Sequence, residues 1–189
     1  MSALSRAATA DVARFEALFT QNFADVLRFV VRRIGPSDAM ARAESITQDT
    51  FLTAWRRLAS VPTEPLGAKA WLYAVARSLM LHEHRGAERR VALEVRLADD
   101  ALVKANRASQ GCDTTTPAPD DLVLSRLDLA AAWVRLKPAE QEVLSLAAWE
   151  DLPASQAALV LGISILAYRT RLTRARASLR KLLAENTQP

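Results

Sequence analysis

Apolar residues recur at helical spacing along most of the chain. From Asp11 to Ile34 the positions Phe15, Leu18, Phe19, Val26, Phe29 and Val30 fall three, four and seven apart, the period of a helix with one buried face. The ten residues before it are small and polar and read as a frayed start. Gly35-Pro36 stops this helix, and Ser37 is placed to cap a second, with Asp38 in its first turn. The second helix carries Ala43, Ile46, Thr50, Phe51, Ala54, Trp55 and Leu58. Ser60 to Gly67 holds two prolines and reads as a loop, and a third helix follows from about Ala68 to the basic run HRGAERR. VALEVRLADDALVKA has the pattern of a weaker helix, whereas Asn106 to Asp121 has almost no apolar content and reads as a linker.

Beyond the linker the helical period resumes. One helix spans Leu122 to about Leu136, and Pro138 opens the next, with Glu140 and Glu142 near its positive end. Pro153 plays the same part for the short helix ASQAALVL. Gly162 is suited to the left-handed conformation that ends it, and Ser164 to capping the last helix. No alternating strand pattern or hairpin turn signal appears. The expectation is an all-α chain of two small helical domains, residues 11–90 and 122–185, joined by a flexible acidic linker at 91–121.

Charge sharpens this division. Residues 11–90 hold 12 basic and 9 acidic side chains, 91–121 hold 3 and 6, and 122–189 hold 9 and 6. Two net-positive modules flanking a net-negative segment suit two contacts with something anionic. Cys112 is the only cysteine, which excludes an intrachain disulfide and a cysteine-rich zinc site. His82 and His84, two apart, point to different sides of a helix and make no metal pair. There is no signal peptide and no run of about 18 apolar residues, so a cytoplasmic protein without membrane insertion is expected. No Gly-rich phosphate loop, persuasive carboxylate pair or nucleophile constellation is present, so neither a cofactor nor catalysis is expected.

The last helix is the most informative segment. Ile163 to Leu183 carries five arginines, one lysine and no acid. With Tyr168 at zero and ~100° per residue, Leu172, Ala175, Leu179 and Leu182 fall within ~40° of it and form a packing stripe. Leu166, Thr170, Thr173 and Arg174 lie roughly opposite, with Arg169 and Arg171 on either flank. The short preceding helix, the tight LGIS turn and this helix constitute a helix-turn-helix, whose second helix enters the major groove. On that basis Arg169, Thr170, Thr173 and Arg174 are expected to face bases, and Arg171 and Arg176 to make phosphate or structural contacts. Trp133 and Trp149 are expected to pack the domain.

LKPAEQEVLSLAAWEDLPASQAALVLGISILAYRTRLTRARASLRKLL resembles region 4 of the sigma-70 family. It has the leucine-x-proline opening, the leucine-glycine ending of the short helix and a recognition helix closing in arginine-alanine-arginine. FEALFTQNFADVLRFVVRR, AESITQDTFLTAWRRL and WLYAVARSLMLHEHRGAERR resemble region 2, and their order and spacing strengthen the match. The chain is similar to a group IV, extracytoplasmic-function (ECF) RNA polymerase sigma factor. It departs from the pattern at Ser45, Thr47, Asp49, Ser78, His82 and Gln156-Ala157-Ala158.

The resemblance implies a subunit that directs core RNA polymerase to promoters and aids initiation. Ser45, Gln48 and Asp49 would meet the β′ clamp helices, and the β flap would be a further polymerase contact. Lys69, Trp71, Ser78, His82, Arg85 and Arg89 would serve the minus-10 element, with a flipped-out base near Glu64–Lys69. Arg169, Thr170, Arg171, Thr173 and Arg174 would serve the minus-35 element. The linker would run through the polymerase cleft, and an anti-sigma factor is a further partner of such proteins. Two other readings stand beside this one. A helix-turn-helix regulator would bind duplex DNA without polymerase, and a helical scaffold or small enzyme would carry an incidental basic tail. The basic, tryptophan-bearing third helix argues against the first, and the lack of a plausible catalytic site against an enzyme.

Overall fold

The computed structural model describes the backbone of residues 3–34, 39–98 and 121–186, and side chains within 9–34, 40–83 and 128–185. The described residues contain seven α-helices and no strand: α1 Ala3–Val31, α2 Ala39–Arg56, α3 Pro65–Ala98, α4 Asp121–Arg135, α5 Pro138–Ala148, α6 Ala154–Leu161 and α7 Ile165–Asn186. A single 3-10 turn, Leu58–Ser60, follows α2. The Gly35-Pro36 stop, the Ser37 cap and linker positions 99–120 lie outside the described residues. The fold divides into two compact units, Met1–Arg85 with Ser145–Arg169, and Gly86–Leu144 with Thr170–Pro189.

Helices α1 and α3 are both longer than their periodicity alone suggests. Helix α1 begins at Ala3, because ALSRAATA contains alanine-rich helix formers and neither proline nor glycine. Helix α3 begins at Pro65 and continues past HRGAERR through 91–98, absorbing the start of the separate weaker helix read from the sequence. No proline lies between Pro65 and Ala98, and Gly86, the one glycine past the first turn, costs only about 1 kcal/mol relative to alanine. Pro65 therefore opens α3 rather than belonging to the preceding loop. Its missing N–H is no loss in a first turn, and the Glu64 carboxylate accepts the Leu66 and Gly67 N–H groups. A side chain at Gly67 would press on that carboxylate and on Pro62, at 3.0 and 3.1 Å.

In the first unit, the α1 stripe buries Leu18, Val26, Phe29 and Val30. Tyr73 of α3 stacks on Phe29 at 4.2 Å, nearly parallel. Phe51 of α2 packs its ring against Phe15, Phe19 and Phe23. Phe19 and Trp55 stay 39% and 44% exposed, so this aromatic ridge reaches the surface. Thr47 and Thr50 are fully buried, and each hydroxyl donates to the carbonyl four residues back, Ala43 and Ile46, at 2.7 Å. That local bond lets a threonine occupy Thr47, where the family pattern is apolar, without an orphaned polar group.

The same unit contains a buried ionic cluster. The Glu150 side chain is 3% exposed and faces Arg33 at 3.2 Å and Arg32 at 3.4 Å. Arg33 also donates to Ser145 Oγ at 2.8 Å and to the Phe29 carbonyl at 2.9 Å, with its guanidinium 3.6 Å above the Phe29 ring. Burial, and then the charge of Glu150, push the Tyr73 hydroxyl far above the usual phenol range, so it stays protonated. Trp149, expected in the core, is 48% exposed and lies against the Arg32 guanidinium at 5.6 Å. The chain turns there, with Asp151 at φ 48°, a left-handed position that aspartate tolerates better than most residues.

The second unit is held by Leu136, Leu144 and Ala175, with Trp133, Leu172, Leu179 and Leu182 packed around them. Trp133 thus does pack its domain. Its carbonyl accepts a hydrogen bond from Gln141 at 2.7 Å. Pro138 is the first residue of α5, and Glu140 accepts from the Lys137 N–H at 3.1 Å and from the Ser178 hydroxyl at 2.8 Å. Arg135 and Glu185 form a surface pair at 2.7 Å.

Candidate nucleic-acid interface

The geometry of α7 starts from its cap. Gly162 ends α6 at φ 65°, ψ 35°, a left-handed conformation that glycine adopts without a Cβ penalty. The Gly162 N–H donates to Leu159 and the Ile163 N–H to Ala158, at 3.1 and 3.0 Å, which satisfies carbonyls that α6 leaves unpaired. Ser164 Oγ accepts the Ala167 N–H at 3.2 Å and caps α7, while its carbonyl accepts Tyr168 N–H at 2.9 Å. Pro153 sits one position earlier than anticipated, as the extended N-cap of α6. Its carbonyl accepts the Gln156 and Ala157 N–H groups, both at 2.9 Å. Ala157, Ala158 and Val160 are buried, so α6 is held by small side chains.

The spacing of apolar residues sets the phase of α7. Tyr168 and Ala175 are buried, and Leu172, Leu179 and Leu182 are half-buried. Arg169, Thr170, Arg171, Thr173, Arg174 and Arg176 are all exposed. Arg171 and Arg174 border a shallow depression with Ala139 and Glu140 at the start of α5. One helix therefore carries a packed stripe and, on its other sides, donors that can reach phosphate oxygens and base edges.

Helix α3 is a second candidate surface. Ser78 and His82 are exposed and Trp71 is half-buried. At ~100° per residue the three lie within ~20° of one line, while Leu72 and Ala76 are buried on another. Arg85 and Arg89 belong to α3, but their side chains lie outside the described residues. Lys69 stands across the helix from Trp71. Its ammonium meets Asp25 at 2.6 Å and lies 5.8 Å from the Tyr73 ring. Burial alone would raise the Asp25 carboxyl, but hydrogen bonds from Lys69 and Arg28 hold it below its usual range. The structure thus groups Trp71, Ser78 and His82, and ties Lys69 to α1.

On α2, Ser45, Gln48 and Asp49 are exposed. The Asp49 carbonyl accepts the Thr53 hydroxyl at 2.8 Å. One turn on, Leu52 is 44% exposed, an apolar neighbour that the polar pattern AESITQD did not flag. Among the described residues, no group of three or more His, Cys, Asp or Glu could hold a metal ion, and no helix is long and apolar enough to cross a membrane.

These surfaces coincide with known modules. The chain matches the model of Sigma-70 region 2 over residues 18–90 and that of Sigma-70 region 4 over residues 126–179. It is 29% identical over 185 residues to the ECF RNA polymerase sigma factor SigL of Mycobacterium tuberculosis, covering 98% of this chain and 97% of the relative. It is 30% identical over 191 residues to the ECF RNA polymerase sigma factor BldN of Streptomyces coelicolor, covering 100% of this chain and 67% of the relative. Its fold is like that of the sigma factor RpoE from Bartonella quintana, solved with the anti-sigma factor NepR. The TM-score is 0.60 at 23% identity over 90% of this chain and 96% of the other. It is also like that of CnrH, solved with the cytosolic domain of CnrY, with a TM-score of 0.59 at 24% identity over 97% and 96% of the two chains. With both sigma modules present in order and relatives aligned along the whole length, the chain belongs to the sigma-70 family, as an RNA polymerase sigma factor of the ECF type.

Proposed function

We propose that this sigma factor uses three separate surfaces in initiation: α2 for core polymerase, α3 for the minus-10 element and α7 for the minus-35 element. The observation that carries the reading is α7 itself, which opposes a buried stripe with exposed arginine-threonine faces behind the Ser164 cap. Arg169, Thr170, Thr173 and Arg174 meet bases, and Arg171 meets phosphate. On α3, Trp71 offers a ring for stacking on an unpaired base, with Ser78, His82, Arg85 and Arg89 following the strand. Lys69, paired with Asp25, supports the start of α3 and reaches DNA only by exchanging that partner. On α2, Ser45, Gln48 and Asp49 meet the β′ clamp helices. Residues 11–90 and 122–185 serve as the two functional domains, with 91–121 between them.

The protein itself performs no catalysis and acts in the cytoplasm, where its polymerase works. The solved relatives were captured with NepR and with CnrY, and an anti-sigma factor for this chain follows by likeness.

Run-off transcription with purified bacterial core polymerase and a promoter library tests the reading. The expected result is a complex with core and selective transcripts, and loss of promoter choice in the Arg169→Ala/Arg174→Ala double variant. Tight duplex binding by the protein alone, with no complex with core, would overturn it.

A further inference from the structure

We infer that Leu166 is a specificity residue that reads thymine, packing its side chain against the 5-methyl group of a thymine in the major groove. This rests on the minus-35 reading of α7 and extends it to a residue that carries no polar group. Leu166 is 76% exposed in the first turn of α7. The Ser164 cap fixes that turn, and the N-terminal part of such a helix is what approaches base edges. At ~100° per residue, Leu166, Thr170, Thr173 and Ala177 fall on one line within ~60°, opposite buried Tyr168 and Ala175.

All four are exposed, uncharged and methyl-bearing, and Arg169 and Arg174 border the line on either side. A methyl strip between guanidinium groups complements a groove in which a thymine methyl lies beside guanine and phosphate oxygens. The first turn of a helix favours acids or small polar residues for its dipole, and an exposed leucine there instead supplies apolar surface that a thymine methyl can cover.

The test uses the full chain with core polymerase on a library randomised through the minus-35 region. Wild type is expected to require thymine at one position, and Leu166→Ala to lose that preference while keeping the others. At that position deoxyuridine, which lacks only the methyl, is then substituted for thymine. It should weaken wild-type binding about fourfold, the worth of one buried methyl, and leave Leu166→Ala unaffected. Leu166→Met should restore sensitivity to the methyl. Equal deoxyuridine effects in both proteins, or an unchanged base preference in Leu166→Ala, overturn the inference and assign the leucine to a protein contact. The Arg169→Ala/Arg174→Ala variant separates the two levels. If it too keeps wild-type preferences, the minus-35 reading fails, whereas if only Leu166→Ala does, the leucine alone is misassigned.

Discussion

Helices α1–α3 and the helix-turn-helix α6–α7 bury their faces with different kinds of side chain. In α1–α3 rings pack on one another, Phe29 on Tyr73 and Phe51 against Phe15, Phe19 and Phe23, among buried small residues such as Ala43, Ala54, Ala70 and Ala76. In α6 the space is filled by Ala157, Ala158 and Val160, and in α7 the fully buried positions are Tyr168 and Ala175. Large rings bury much area per residue and concentrate stability in a few positions. Alanines bury little but let helix backbones approach closely, so their value lies in geometry. The ring sites of the first region should therefore fail by losing atoms, and the ring-free α6 by gaining them.

The largest effect should come from Phe29→Ala, which empties the site between Tyr73 and Arg33. A loss of about 4 kcal/mol is expected in urea denaturation of the full chain, and a loss below about 1 kcal/mol would show that the ring stack is not a focus of stability. Ala157→Leu should cost about 2 kcal/mol by overpacking, although the substitution adds apolar surface. A neutral or stabilising Ala157→Leu would erase the contrast between the two regions. Ser164→Ala should cost about 1 kcal/mol and fray the start of α7. Hydrogen exchange at Ala167 and Tyr168 would reveal this, while exchange in α1 stays unchanged.

The smallest effect is a pH dependence confined to the first region. The Asp25 carboxyl is held below its usual range in the fold, so its contribution is present above the ordinary carboxyl value of about 3.8 and is lost as pH falls below that and through the lower folded value. Asp25→Asn should flatten that part of the stability curve. An identical acid limb in the variant would place the titration elsewhere.

Much of the second region was legible because its signals are local. Gly162 and Ser164, like Pro138 at the start of α5, act on their own helix ends, within four residues, and the structure uses each as anticipated. The Tyr168–Leu182 stripe follows from helical period alone. The misses have physical causes. The extension of α3 carries no proline, and the charged run HRGAERR mimics an end that the helix does not make. Pro65 was read as loop because prolines mark both loops and first turns, and the Glu64 carboxylate decides between them. Glu150 escaped notice because its arginine partners stand 117 and 118 residues away, a distance over which periodicity says nothing. Trp149 and Phe19 looked like core by residue type, yet packing left each well over a third exposed. For the candidate surfaces, spacing placed Trp71, Ser78 and His82 together, but a helical wheel cannot show that Lys69 is engaged by Asp25 on another helix.

The division of labour within α7 has a corollary for mutation. The residues that pack it, Tyr168, Leu172, Ala175, Leu179 and Leu182, share no member with those that face outward at Leu166, Arg169, Thr170, Thr173 and Arg174. Under the proposed minus-35 reading, substitutions in the outward set would alter recognition while leaving the buried stripe unchanged. A single-residue insertion between Gly162 and Ile165 is a different kind of change. It would turn the whole helix by ~100°, and the buried stripe would resist the rotation. Point substitution on the outward faces thus leaves the packed stripe intact, whereas a change in turn length does not.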